Sequence, residues 1–249
     1  MILPPLSAGT LVKRYKRFLA DIRLDDGSII TAHCPNSGSM LGCNHPGSPV
    51  YFSHSNNPNR KLPYTWELVY ADTGWVGLNT IYPNRLVHEA ILNGTIKELV
   101  GYATIRTEVP YGRERSRIDL LLEGKPQSCY VEVKNVTLVH DDIAEFPDAI
   151  TTRGQKHLRE LMDVVTQGNR AVLVFTVQRE DARAIRPADG IDPVYGTLLR
   201  QAAKHGVEII AYQALVSPQE IKLIKRLPVL LEEPMSDNQL RQPMPSTPA

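Results

Sequence analysis

Three residues of the 249-residue chain combine type and spacing in a way that could do chemistry: Asp119, Glu132 and Lys134. Asp119 interrupts an apolar run, Ile118-Asp119-Leu120-Leu121-Leu122, and Tyr130-Val131-Glu132-Val133-Lys134-Asn135 supplies a Glu-x-Lys. Side chains alternate along a strand, so Glu132 and Lys134 share a face, and pairing of the two strands would bring Asp119 beside them. Carboxylates gathered in a half-buried site repel one another, and each charge is costly to desolvate. A divalent cation relieves both problems, and hard oxygen ligands of this kind suit Mg²⁺ or Mn²⁺. A lysine beside such an ion could orient its water or accept a proton, and could stabilise charge on a phosphate under attack. An Asp119–Lys134 salt bridge in an ordinary α/β core is the competing interpretation of the same residues.

The elements that must position this set fall into two textures. Up to about Thr80 the chain reads as short strands: Thr10–Arg17, Ile22–Leu24, Ser28–Cys34, Val50–Ser53, Tyr64–Ala71 and Trp75–Thr80. Asp25-Asp26-Gly27 is a hairpin signal between two of them. About five antiparallel strands in this length predict an OB-like five-stranded β-barrel over residues 1–82, with a compact sandwich as the alternative. From Tyr82 the pattern becomes a helix after Pro83-Asn84, strands at Thr104–Val109, Arg117–Leu122 and Cys129–Val136, and a helix from about Thr151 to Val165. An apolar strand Ala171–Val177, a helix Val194–Lys204 and a strand Val207–Tyr212 complete it. This α-β-β-β-α-β-α-β order predicts a mixed sheet with helices on its faces over residues 83–231, an α+β or α/β domain. Ser217-Pro218-Gln219-Glu220 reads as a turn between strands. Residues 232–249, rich in Pro, Ser and Gln, are expected to be a disordered tail.

Two further clusters point to anions. Lys13-Arg14-Tyr15-Lys16-Arg17-Phe18 is a dense cationic run with interleaved aromatics. In an extended strand Lys13, Tyr15 and Arg17 would share one face, an arrangement suited to nucleic-acid backbone and base, or simply to a charged edge strand. Arg153, Gln155, Lys156 and His157 gather at a helix start, where backbone amides and the macrodipole favour phosphate; a solvated helix face is equally simple. Asp148, just before that helix, fits either support of a metal site or a helix cap. His33-Cys34 and Cys43-Asn44-His45 lack the spacing of a zinc finger.

Composition narrows the classes. Lys and Arg total 28 against 27 Asp and Glu, a net charge of +1, which excludes a protein uniformly coated in basic residues but not a local basic patch. No apolar run approaches the ~18–20 residues that span a bilayer. Pro4 and Pro5 stand where a secretion signal needs a continuous apolar stretch, so export is not expected. Three cysteines cannot build a disulfide framework and suit a reducing cytoplasm.

The Asp119…Glu132-x-Lys134 set, on the second and third strands after a helix, resembles the PD-(D/E)XK nuclease superfamily, although Ile118 stands at the namesake proline. A larger resemblance covers residues 1–231. Gly9–Phe18, Cys34-Pro35-Asn36-Ser37-Gly38-Ser39-Met40, Glu132–Leu138, Phe146-Pro147-Asp148-Ala149 and Thr152–Leu158 look like the sugar fermentation stimulation protein family. That resemblance implies an OB-like domain, a nuclease-like αβββαβ domain and non-specific DNA binding, to single or double strands, with RNA also open. It implies a Mg²⁺- or Mn²⁺-dependent phosphodiesterase, or else a non-enzymatic DNA-binding regulator of sugar (maltose) metabolism. Asp119, Glu132 and Lys134 then fall at metal and catalytic places, with the Val133 carbonyl and Glu89 as further metal ligands.

Overall fold

The computed structural model describes residues 1–114 and 116–232, so the expected tail beyond Glu232 lies outside the described residues. Strands β1 (Leu6–Tyr15), β2 (Leu19–Arg23), β3 (Ile29–His33), β4 (Pro49–His54) and β5 (Tyr64–Ala71) form a ring in the order β3-β2-β1-β4-β5. Parallel pairing of Ala32 with Tyr64 and His33 with Thr65 closes it. The short β6 (Gly74–Gly77) extends β5 as a hairpin. This is the OB-like five-stranded barrel, filled by Leu11, Ile22, Phe52, Trp66 and Val69. Strand β5 is buried almost throughout because it has no solvent face: Trp66 and Val69 enter the barrel core, while Leu68 joins the core of the second domain.

The second domain begins with α1 (Tyr82–Leu92) and a 3₁₀ turn at Lys97–Leu99. Strands β7 (Thr104–Tyr111), β8 (Ser116–Glu123), β9 (Cys129–Val136), β10 (Leu138–His140) and β11 (Ile143–Phe146) follow. Then come α2 (Thr152–Thr166), β12 (Arg170–Val177), β13 (Ala184–Pro187), α3 (Pro193–Lys204), β14 (Glu208–Val216) and β15 (Ile221–Leu227). The main sheet runs β7-β8-β9-β12-β14-β15, with parallel pairs at β9–β12 and β12–β14 and antiparallel pairs elsewhere. Alternation along its strands divides the core: Leu120, Leu122, Val131, Val133, Val172 and Val174 pack with α1, whereas Leu121, Leu173 and Phe175 pack with α2 and α3. Helix α2 is capped by Thr151, whose hydroxyl accepts from the Gly154 amide at 3.0 Å. A small sheet, β10-β11-β13, lies outside the αβββαβ order. The β14–β15 hairpin places the turn at Ser217–Glu220, as the sequence predicts.

The two domains are joined by more than a linker. The Leu3 amide donates to the Gln219 carbonyl at 2.9 Å, Ile2 bridges Glu220, and the Ile221 amide donates to the Met1 carbonyl, so residues 1–3 lie on the second domain. The Gly77 amide donates to the Gln178 carbonyl at 3.1 Å. Arg179, with a side chain 3% exposed, donates to Asp72 of the barrel at 2.8 Å, to Asp181 at 2.5 Å and to the Thr137 carbonyl at 3.0 Å. A buried guanidinium must keep acceptors close by, and here it has three. Asp72 is 65% exposed, and when it is removed Asp181 and the Thr137 carbonyl still hold the guanidinium. Arg179→Ala should therefore lower unfolding stability by about 3 kcal/mol. Asp72→Ala should cost less than about 1 kcal/mol in the same urea titration.

Candidate functional site

Strands β8 and β9 pair from Leu122–Cys129 to Leu120–Val131, and there the ladder ends. Two residues further along β9, the Val133 amide donates to Asp119 Oδ2 at 2.7 Å instead of to a backbone carbonyl. The amide and carbonyl of one strand residue leave by the same edge, so the Val133 carbonyl also faces the gap that Asp119 opens. Strand β9 meanwhile stays paired with β12 as far as Val136, which holds Glu132 and Lys134 in place. The sequence set is thus brought together where two central strands splay apart.

Each member has defined partners. Lys134 Nζ donates to Glu132 Oε1 at 2.6 Å, and His157 Nδ1 bonds the same oxygen. Lys134 also approaches His157 Nδ1 at 3.2 Å, and Arg153 Nε faces His157 Nε2 at 3.4 Å. Lys134 therefore pairs with Glu132, and the competing Asp119–Lys134 bridge is not among the ion pairs of the described residues. Asp119 Oδ1 accepts from the Asn84 side-chain amide at 2.8 Å, from the first turn of α1. Glu132 is 2% exposed, and its Oε2 is buried with no hydrogen-bond partner among the described residues.

The two carboxylates are electrostatically unlike. Burial pushes the Glu132 carboxyl up, but the Lys134 ammonium and His157 more than offset it and hold it below the ordinary range. Asp119 forms no ion pair among the described residues, and the Lys134 ammonium lowers it only weakly. Burial and the neighbouring Glu132 charge raise it to about 6, and the Val133 and Asn84 hydrogen bonds only partly oppose them. An orphaned buried oxygen, a carboxyl held high for want of positive charge and a backbone carbonyl at the same gap form a donor set that fits a hard divalent cation. Asp119, Glu132 and the Val133 carbonyl could hold it.

These groups line a cleft of about 460 Å³ between the domains. Its second-domain wall includes Asp119, Glu132, Lys134, Arg153 and His157, and its barrel wall is Arg17, Asn36, Ser37 and Gly38. The barrel wall is itself clamped. Arg14 donates to the carbonyls of Asn36 at 2.9 Å, Gly38 at 2.8 Å and Ser39 at 3.2 Å, and to the Arg17 carbonyl at 3.2 Å. Asp148 Oδ2 accepts from the Met40 amide at 2.9 Å, and the Ser39 hydroxyl donates to the Asp148 carbonyl. Gly38 lies beneath Asp148: a Cβ there would be 2.6 Å from Asp148 Oδ2 and would push that carboxylate from its place.

Several expected placements change. Lys16 and Arg17 adopt left-handed backbone, φ 48° and 64°, so β1 stops at Tyr15 and no shared face runs from Lys13 to Arg17. Arg17 reaches the cleft, Arg14 is spent on the loop, and Lys13 pairs with Asp21 at 3.5 Å beside the Tyr15 ring. Tyr15 donates its hydroxyl to Asp21 at 3.1 Å. In α2, Gln155 binds Asp192 at 2.9 Å and Lys156 donates to the Glu114 carbonyl, so only Arg153 and His157 of that cluster line the cleft. Glu89 lies five residues beyond Asn84 around α1 and pairs with the Met1 ammonium at 3.0 Å, away from the carboxylates. Asp148 docks the barrel loop, while Thr151 caps α2. Sequence reasoning does not single out Asn84, whose only signal is the Pro-Asn at the helix start.

An OB barrel followed by an αβββαβ mixed sheet, with two carboxylates and a lysine where the central strands part, defines a two-domain protein with an OB domain and a mixed-sheet domain. The family model "SfsA N-terminal OB domain" matches residues 12–78, and "Sugar fermentation stimulation protein RE domain" matches residues 81–220. A sugar fermentation stimulation protein homolog of Geobacter metallireducens is 66% identical over 232 residues, covering 93% of this chain and 100% of the relative. That of Geobacter sulfurreducens is 66% identical over 234 residues, covering 94% and 100%. The solved structure of Pyrococcus furiosus SfsA in complex with Ca²⁺ superposes with a TM-score of 0.83 at 27% identity, covering 92% of this chain and 98% of that one. The chain belongs to the sugar fermentation stimulation protein family. Among the described residues, no helix is long and apolar enough to cross a membrane.

The Asp119 carboxyl yields a stability test. Its native value of about 6 exceeds the ~3.9 of an unfolded chain, so the folded state holds the proton more tightly. Its contribution is most favourable below about pH 4, falls as pH rises to 6 and leaves a penalty above that. Asp119→Asn should raise metal-free stability by ~2 kcal/mol at pH 8 and change it little at pH 4. Urea unfolding of both proteins at the two pH values measures this, and an equal effect at both would rule the penalty out.

Proposed function

We propose that the protein is a divalent-metal-dependent nuclease that binds DNA and hydrolyses its phosphodiester bonds. The observation that carries this is the grouping of Asp119, the orphaned Glu132 Oε2, the Val133 carbonyl and Lys134 at one strand gap, inside a cleft with cations on both walls. Mg²⁺ or Mn²⁺ held there would activate water and neutralise charge on the phosphate. The Ca²⁺ complex of the Pyrococcus furiosus relative supports an oxygen-ligand site of this kind.

The chain's own residues supply the remainder. Lys134 Nζ would orient the attacking water and hold or pass on its proton. Because Glu132 Oε1 is shared by Lys134 and His157, Oε2 is left for the ion. His157 fixes that division, and Asn84 with the Val133 amide fixes the Asp119 carboxylate. Arg17 and Arg153 neutralise the nucleic-acid backbone from opposite walls. We assign nucleic-acid binding to the barrel of residues 1–82 and hydrolysis to residues 83–231. Free, buried thiols at Cys34, Cys43 and Cys129 fit a reducing cytoplasm.

Incubating pure protein with single- and double-stranded DNA, with and without Mn²⁺, tests the reading. Lys134→Ala should lower metal-dependent cleavage at least ~100-fold while leaving DNA affinity within about twofold. Cleavage equal to wild type would identify a contaminant. Salt-sensitive binding without any metal-dependent cleavage would instead make the protein a non-enzymatic DNA-binding regulator.

A further inference from the structure

The outward side of α1 carries a stripe that the proposed reaction does not use. Ile81, Arg85, His88 and Leu92 recur at intervals of four, three and four residues, which places them on one face of the helix. The opposite face, Leu86, Val87, Ala90 and Ile91, is buried in the core. Ile81 is 68% and Leu92 70% exposed, unusual for side chains of that size. Together with Thr107 and Glu108 of β7, the stripe bounds a groove of about 780 Å³.

The groove opens directly from the catalytic cleft. Thr80 and Asn84 line both spaces, and Asn84 is the residue that bonds Asp119. Its charges are few. Arg85 is exposed and has no ion-pair or hydrogen-bond partner among the described residues, unlike Arg170, Arg179, Arg183, Arg186 and Arg226, which each hold a carboxylate. Glu89 is already matched by the Met1 ammonium, and Glu108 is the other carboxylate on the wall.

We propose that this groove holds the continuation of a single nucleic-acid strand beyond the phosphate at Asp119, with Arg85 and His88 meeting phosphates and Ile81 and Leu92 meeting base faces. A strand offers charged phosphates and flat apolar base faces, and the stripe presents Arg85 and His88 between the apolar Ile81 and Leu92. The inference rests on the nuclease reading and extends the site by a second segment of substrate.

Affinity as a function of oligonucleotide length tests it, using single-stranded DNA of about four and about twelve nucleotides, with a chelator present to prevent cleavage. Arg85→Glu should weaken binding of the longer strand about tenfold and leave the shorter one unchanged. Arg85→Ala should reduce the salt dependence of the longer strand by about 0.7 in slope. Leu92→Ser, which removes apolar surface and no charge, should also weaken only the longer strand. Arg17→Glu, within the cleft, should weaken both. If the Arg85 and Leu92 variants leave both lengths unchanged, or weaken both equally, the groove is not a strand track although the cleft still binds. If wild type binds neither length, the nucleic-acid reading fails and this proposal with it.

Discussion

Two carboxylates that are both charged and both dry repel, and the second domain is arranged around that repulsion. Glu132 escapes it through Lys134 and His157, which share one of its oxygens. Asp119 does not, and its carboxyl rises to about 6 as a result. A fold selected for stability alone would place an apolar residue at Asp119, where every neighbour along β8 from Ile118 to Leu122 is buried. The acid survives because the strand ladder has already ended there, and the Val133 amide and Asn84 partly solvate it. The unmet demand for positive charge is what fits the gap for a divalent ion.

The barrel is more than an appended binding module. Its loop from Asn36 to Met40 forms a wall of the cleft and is held from both sides, by Arg14 within the barrel and by Asp148 across the interface. The segments that carry the family resemblance, Cys34–Met40 and Phe146–Ala149, therefore meet in space. They keep a fixed wall opposite the carboxylates, so positioning there depends on both domains at once.

Much of this is legible in the sequence, and the misses share a cause. Strand β9 can be read to its residues, Cys129–Val136, because a β-branched apolar run interrupted only by Glu132, Lys134 and Asn135 leaves little freedom. Helix α2 follows from its apolar spacing and the glycine that ends it. The end of β1 is hidden because Lys16 and Arg17 take left-handed backbone without the Gly or Asn that would announce a turn. Arg14 looks like a phosphate contact, since nothing local distinguishes a guanidinium that meets phosphates from one that meets four carbonyls. Glu89 has the right helix and the right chemistry, but the helical turn carries it away from Asp119, where Asn84 stands instead. The small β10-β11-β13 sheet is too short for periodicity to reveal.

Residues 1–3 pair with the second domain, so the chain leaves that domain to build the barrel and returns to it at Tyr82. A module joined by one linker swings like a door. This one is held at both chain ends, and Arg179 and Asp148 pin it at two further points. Moving the barrel against the second domain would break at least one of these attachments. The spacing between the carboxylate wall and the barrel wall is therefore a built-in gauge: it measures the thickness of whatever enters rather than closing to fit it.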